Sequence, residues 1–344
     1  MRKNMVNIST IKTNLQWMPV NLPIWVWASI QWWDIEKDCF CTKVTNLLDF
    51  RAMTNACPLD CLHCFTNKNQ RTLKLDQIKN VIDQAFYIWV RGINYLWEWE
   101  PTLDENFWEI LDYTIKKWII PVVFSESSIK LTDPIFVKKL YDSWASIFPK
   151  CDSLWDKDYQ NWLVWWKKDN YFDKRNEAIE ILIKQGFNKV KENWITRMWF
   201  DMIVSTKNMN EIEKTLKRCR DKNIFIIFSW FLPSWRSASD NFNQSLIVPL
   251  KKRREIVELI QRIDKEMYNF SHNIWNNFWT TWCLENWQIK WNWDFTTCSW
   301  RDNVIWNVLE TSLTELFEVS HLSNPKMKSL CRDWNCLFRE KFIK

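Results

Sequence analysis

The sequence predicts an α/β chain: a partial (β/α)6 TIM-like barrel built on a parallel sheet, followed by a small C-terminal α+β domain. Three observations predict it. Between about residue 46 and residue 230, short apolar runs alternate with amphipathic stretches of helical period, as successive βα units require. Near residue 273 the alternation gives way to short strands, turns and four cysteines. The apolar runs are brief and follow helical stretches directly, which favours parallel pairing over hairpins.

Taken in order, Leu47 to Phe50 reads as the first strand, residues 74–91 as a helix and Ile93 to Leu96 as the second strand. A helix near 104–117 leads to a strand at 119–124. Asp133-Pro134 places an N-cap before a proline whose missing N–H costs nothing at the first helical position, opening a helix to about 143. Strand four falls at 145–149, a helix at 173–185 and strand five at Ile195 to Val204. A helix over 209–222 precedes strand six, Ile224 to Phe228. The charged amphipathic stretch 248–268 reads as a bridging helix. The expected organisation is an N-terminal extension (1–45), a barrel core (46–236), a bridging helical segment (237–272) and a tail domain (273–344). Catalysis on such a barrel belongs at the C-terminal ends of the strands.

Composition narrows the class. The chain has 344 residues, and 47 basic residues against 41 acidic ones are interspersed, so no basic block points to nucleic acid. Leu15 to Trp33 is apolar enough to suggest a membrane span. Pro19, Pro23, Gln16, Asn21 and Gln31 make it a loop-rich lead-in instead. The start, Met1-Arg2-Lys3-Asn4, runs into polar residues without a secretory apolar region. Eleven cysteines in a cytoplasmic chain of this length point to metal rather than to disulfides. Cys39 and Cys41 read as ordinary thiols, and Cys151 and Cys219 as buried ones.

One feature of the composition is anomalous: 2 glycines and 28 tryptophans, 30 in all, where roughly 24 glycines are expected for this length. Gly92 and Gly186 each follow a helical stretch and precede an extended one, the slot of a left-handed C′ residue. Trp118 and Trp144 fill the same slot. Trp162, Trp194, Trp287, Trp293 and Trp334 each follow Asn or Asp, where Asn-Gly and Asp-Gly turns belong. The pattern reads as UGA codons that encode glycine in the source and were translated as tryptophan by the standard code.

The first chemical motif follows the first strand: Cys57-Pro58-Leu59-Asp60-Cys61-Leu62-His63-Cys64, spaced C-x3-C-x2-C. Three thiolates in one tight loop can hold three corners of a [4Fe-4S] cluster and leave the fourth iron open to substrate. A structural zinc ion wants a fourth ligand, which His63 supplies only awkwardly from its place beside Cys64. This motif resembles that of the radical SAM superfamily. The resemblance implies that the open iron chelates the amine and carboxylate of S-adenosylmethionine. It further implies reductive cleavage to a 5′-deoxyadenosyl radical that abstracts hydrogen from a substrate. His63 would then pack near the adenine.

After the second strand, Trp97-Glu98-Trp99-Glu100-Pro101 becomes G-E-G-E-P when Trp is read as Gly. It is similar to the family's GGEP segment, which meets the amine of the methionine; Glu98 replaces the first glycine of that pair. Ser125-Glu126-Ser127 falls where relatives carry Thr-Asn-Gly. By this resemblance Glu98, Trp99, Glu100, Pro101, Ser125 and His63 are the cofactor contacts. Trp199 to Ile203 does not reproduce the family's glycine-rich adenine motif. Pro233-Ser234-Trp235-Arg236 is similar to a segment of relatives with cluster-bearing tails.

In the tail, Cys283 and Cys298 with Trp293 read as C-x9-G-x4-C, and Cys331 and Cys336 complete the set. This resembles SPASM and twitch domains and implies one auxiliary [4Fe-4S] cluster on the four cysteines. Relatives with such tails imply an electron donor such as flavodoxin or ferredoxin and a peptide or protein substrate. The alternative is a zinc-stabilised binding protein without catalysis.

Overall fold

The computed structural model describes residues 47–51, 56–64, 73–87, 90, 92–96, 100–164, 170–189, 196–231, 244–268, 287–289, 293–296, 306–313 and 315. Six strands run in the expected order: β1 (Leu47–Arg51), β2 (Gly92–Leu96), β3 (Ile120–Ser125), β4 (Ser146–Pro149), β5 (Trp199–Val204) and β6 (Phe225–Trp230). Seven helices are described: α1 (Leu75–Tyr87), α2 (Phe107–Lys116), α3 (Pro134–Asp142), α4 (Lys157–Leu163), α5 (Tyr171–Gln185), α6 (Ile212–Asp221) and α7 (Leu250–Tyr268).

β1 to β4 form a parallel ladder, and β5 pairs with β6 in parallel. Parallel bridges Ile147–Met198 and Lys150–Asp201 join the two sets, reinforced by Ile147 N–H to Arg197 O (2.9 Å) and Cys151 N–H to Asp201 O (3.2 Å). The result is the expected six-stranded partial barrel. At its open edge β7 (Trp287–Ile289) pairs in parallel with β1, and β8 (Asp294–Thr296) and β9 (Trp306–Asn307) continue antiparallel. The tail thus begins as an extension of the barrel sheet.

Alternation along the strands sorts the two faces. Ile93, Tyr95, Val123, Ile147, Met198, Phe200, Met202, Ile226 and Phe228 lie in one buried cluster with the apolar faces of α1, α2, α3, α5, α6 and α7. The intervening residues face the concave interior. There Phe124, Phe148, Trp199 and Phe225, one from each of four successive strands, form a continuous row. Ring centroids lie 4.3, 4.7 and 4.6 Å apart along it.

Several boundaries differ from expectation. α4 was not expected, because Asn161-Trp162 reads as a turn; instead Asp156 caps the helix by accepting the Tyr159 N–H (2.8 Å), and Trp162 sits inside it. Trp287 is likewise the first residue of β7, and Gly92 the first of β2, rather than turn residues. β5 starts four residues late. At Arg197 the backbone N–H turns to Phe187 O (2.9 Å), while the guanidinium donates to Ala145 O (2.9 Å) and Tyr141 O (2.9 Å). Trp194 and Trp334 lie outside the described residues.

Four helices end alike. Trp118 (φ 62°), Trp144 (φ 65°), Gly186 (φ 101°) and Asn223 (φ 54°) all occupy the left-handed region. After three of them the next N–H reaches back to the helix, as in Ile119 to Thr114 O (3.2 Å), Phe187 to Leu182 O (3.1 Å) and Ile224 to Cys219 O (2.8 Å). Trp293, before β8, also has φ 67°. Glycine and asparagine suit this slot, whereas a tryptophan Cβ meets the adjacent carbonyl there. Trp118 and Trp144 are 63% and 65% exposed, so their rings contribute little packing in return.

Trp118→Gly and Trp144→Gly are each expected to stabilise the chain by about 1 kcal/mol, read as a rise in denaturation midpoint. A lower midpoint would contradict the strain. Arg220 and Asp264 form a bidentate pair (2.8 and 2.9 Å) that ties α6 to α7 with little solvent. Asp264→Ala takes the bidentate carboxylate away from that buried guanidinium, with an expected cost of about 3 kcal/mol in urea unfolding.

Candidate functional site

The cysteine motif lies in the loop 56–64, beyond the C-terminal end of β1. A loop this short makes no ladder of its own, so its amides need outside partners. Asp60 and Leu62 donate to Val164 O (3.1 Å) and Leu163 O (3.0 Å), the C-terminal carbonyls that α4 leaves open. Cys64 N–H turns back to Cys61 O (3.0 Å), and Glu100 N–H holds Ala56 O (3.0 Å). Leu59 and Cys61 are buried with Val164 and Tyr171, and Cys57 and Cys64 pack against them.

All three cysteines are free thiols. Burial pushes Cys57 up to about 12, and burial raises Cys61 well above its ordinary value, with the neighbouring Cys64 and Cys57 sulfurs adding to the rise of Cys61. Thiols raised in this way are costly to ionise unless cationic metal balances them. Among the described residues, no three His, Cys, Asp or Glu side chains converge tightly enough to hold a single metal ion. Three thiols gathered in one loop are the donor set that the corners of an iron–sulfur cluster take.

His63 is 7% exposed, and its Nδ1 has no hydrogen-bond partner. Burial, with the Lys150 ammonium nearby, lowers its pKa to about 3, so the imidazole is neutral. A buried ring nitrogen with no partner among the described residues fits a neighbour supplied by a ligand.

Glu100 and Pro101 open a short 3-10 turn after β2, and Ser125 ends β3. The Glu100 carboxylate collects the Thr102 hydroxyl (2.5 Å), the Ser125 hydroxyl (2.9 Å) and the Glu126 N–H (2.6 Å), so it latches the end of β2 to the end of β3. Burial raises its pKa against these hydrogen bonds. Glu126 is pushed up to about 8, by burial first and then by Glu100. Its carboxylate accepts the N–H groups of Ser128 (2.9 Å) and Ile129 (3.0 Å). Ser127 takes φ 75°, in the slot where Thr-Asn-Gly would place its glycine.

The sequence gives no sign of the wall facing this loop. Lys150, at the end of β4, pairs with Asp152 (3.2 Å), which also accepts the Ile203 N–H (3.1 Å). Asp201 of β5, held by the Ser229 hydroxyl (3.3 Å), lies beside Lys150 in register. Arg175, fully buried on α5, binds Ser153 O (2.5 Å) and Gln160 (3.2 Å) behind it. Tyr171 is the other residue that sequence reasoning missed. Glu98, Trp99, Arg236, Cys283, Cys298, Cys331 and Cys336 lie outside the described residues, as do Cys39 and Cys41.

A profile of the radical SAM superfamily matches residues 52–219. The chain is 26% identical to mycofactocin maturase MftC of Mycolicibacterium smegmatis over 170 residues, covering 47% of this chain and 38% of that protein. It is 32% identical to MftC of Mycobacterium tuberculosis over 170 residues, covering 47% and 39%. The match therefore spans about two-fifths of the length of these relatives. Among solved structures, Streptococcus suis SuiB bound to S-adenosylmethionine superposes with a TM-score of 0.61 at 14% identity, covering 84% of this chain and 68% of that one. Native anSMEcpe with bound AdoMet gives 0.60 at 13% identity, covering 79% and 80%. These likenesses bear out the partial barrel.

The Glu126 carboxyl makes a pH prediction for the metal-free protein. Its folded pKa of about 8 lies above the ordinary 4.5, so the folded state keeps a proton that the unfolded chain has released. Its contribution is fully present below the ordinary value and is lost as pH rises through the folded one. Glu126→Gln is expected to flatten that fall, seen by comparing urea midpoints at about pH 5 and about pH 8.5. An unchanged slope would place the proton elsewhere.

Proposed function

We propose, from the premise that residues 52–219 are a radical SAM domain, that this chain is an enzyme of peptide or cofactor maturation whose Cys57, Cys61 and Cys64 hold a [4Fe-4S] cluster. The observation that carries the reading is the clamped loop of three cysteine thiols, Cys61 buried and Cys57 and Cys64 half-buried, at the C-terminal end of β1, inside the matched region. Bound there, a cluster would supply the electron for reductive cleavage of S-adenosylmethionine, the chemistry through which a substrate hydrogen would be abstracted.

The chain's own residues bind and orient. The turns Glu100–Pro101 and Ser125–Ser127, latched by the Glu100 carboxylate, offer backbone groups to the methionine end of the cofactor, together with Glu98 and Trp99. His63 offers its unpartnered Nδ1 beside the adenine. The row from Phe124 to Phe225 floors the interior, so substrate enters from the strand ends. A peptide substrate follows from the relatives: MftC is named a maturase, and SuiB has been solved bound to precursor peptide SuiA. Cys283, Cys298, Cys331 and Cys336 would hold the auxiliary cluster of a SPASM- or twitch-like tail (273–344), beyond a core at 46–236 and a bridge at 237–272. A flavodoxin or ferredoxin would be the donor. No helix among the described residues is long and apolar enough to cross a membrane, which suits the expected cytoplasmic setting.

Tryptophan at φ above zero in three places supports reading the tryptophans at turns as glycines, through UGA codons. Intact mass of the protein from its native source decides it. A mass below that of the printed sequence is expected, by the residue difference at each recoded position; a mass matching 28 tryptophans would refute the idea.

Activity is tested with a gene carrying glycine at those of the 28 tryptophan positions that the native protein shows to be glycine, expressed and purified without oxygen. Iron and sulfide are assayed, then dithionite and S-adenosylmethionine are added and 5′-deoxyadenosine is measured. About eight irons per chain with 5′-deoxyadenosine is the expected result for two four-iron clusters. About four irons with the same product would remove the tail cluster. A folded protein holding zinc, without cleavage, would restore the binding-protein alternative.

A further inference from the structure

We propose that Tyr171 is a positioning residue that keeps the cysteine loop in register with the two turns where the methionine end of the cofactor would lie. The inference rests on the radical SAM reading above and adds a residue outside every motif of the sequence.

The contacts around Tyr171 close into a circuit. The loop 56–64 is tied to the end of α4 by Asp60 N–H to Val164 O (3.1 Å) and Leu62 N–H to Leu163 O (3.0 Å). Val164 packs in one small cluster with Leu59, Cys61 and the Tyr171 ring, separate from the main core. Tyr171 is fully buried, and its hydroxyl donates to Glu126 O (3.0 Å), 45 residues away in sequence. Glu126 N–H then donates to the Glu100 carboxylate (2.6 Å), and Glu100 N–H returns to Ala56 O (3.0 Å), next to Cys57. Every link except Tyr171 is a backbone group or the Glu100 latch. Among the described residues, Tyr171 is the side chain in the circuit that touches both the cysteine loop and the turn after β3.

A phenol suits this role. Its ring fills the space behind Cys61, and its rigid reach fixes the separation between Cys61 and the Glu126 carbonyl. Phenylalanine would keep the packing and drop the donor, leaving a buried carbonyl unsatisfied. The loop would then keep its thiols but lose its register with the turns.

The test compares Tyr171→Phe with the reconstituted wild-type chain, using S-adenosylmethionine as the probe. Expected are unchanged iron and sulfide, a KM for S-adenosylmethionine raised about fivefold to tenfold, as one lost hydrogen bond allows, and kcat for 5′-deoxyadenosine within about twofold. The electron paramagnetic resonance change of the reduced cluster on adding S-adenosylmethionine should also shrink. Tyr159→Phe is the control, since Tyr159 is another buried tyrosine, whose hydroxyl pairs with the Ser205 hydroxyl (2.8 Å). It should leave both readouts alone. A Tyr171→Phe chain with wild-type KM and spectrum, or with only a lower melting point, overturns the proposal.

If Tyr171→Phe does not take up iron, hydrogen exchange on the wild type decides. Loading should protect 126–129 and 163–171 together with the loop; protection confined to 56–64 overturns the circuit. A wild type that neither holds iron nor cleaves S-adenosylmethionine refutes the radical SAM reading instead.

Discussion

The site depends on finding partners for the amides of one loop. Residues 56–64 carry three cysteines, a proline and a buried leucine, and the loop supplies little hydrogen bonding of its own. A buried backbone group without a partner costs about as much as a lost hydrogen bond. The fold meets that need with two carbonyls from the end of α4 and one amide from Glu100. Helix ends leave carbonyls unpaired, and here they are spent on the cysteine loop instead of on water. The position of α4, and through it of α5 and the wall around Lys150, is thereby coupled to where the thiols point.

Much of the barrel was legible because its signals are local. Strand–helix alternation and the Asp133-Pro134 cap found β1 to β4, α3 and α7 to within a few residues. The cysteine spacing found the metal motif for the same reason: eight consecutive residues carry it. Where the reading failed, tertiary contacts outweighed local ones. Asn161-Trp162 has the look of a turn, yet the Asp156 cap and burial of Tyr159 and Leu163 make it helix. Arg197 lies in an apolar stretch that reads as strand, but its guanidinium is claimed by the end of α3 and the loop after it.

The wall of the site was illegible on different grounds. Tyr171 is 45 residues from its partner Glu126, and Ser229 is 28 from Asp201. No spacing rule links such pairs, and each residue by itself is unremarkable in sequence. The role of Glu100 was half legible. Its place in the motif marked it as important, but its carboxylate serves the protein, joining two strand ends, while the neighbouring backbone is what remains for a ligand.

The aromatic row has a consequence for water. Phe148, Trp199 and Phe225 are almost wholly buried, and their rings touch across adjacent strands, so that stretch of the barrel is sealed from below. Above the row the walls are half-buried and carry Lys150, Asp201 and Ser229. The chamber therefore has one wet side. A molecule settling at the strand ends would act as its own stopper, displacing solvent through the opening by which it arrived. Dryness around a reactive centre there would then come in part from occupancy itself.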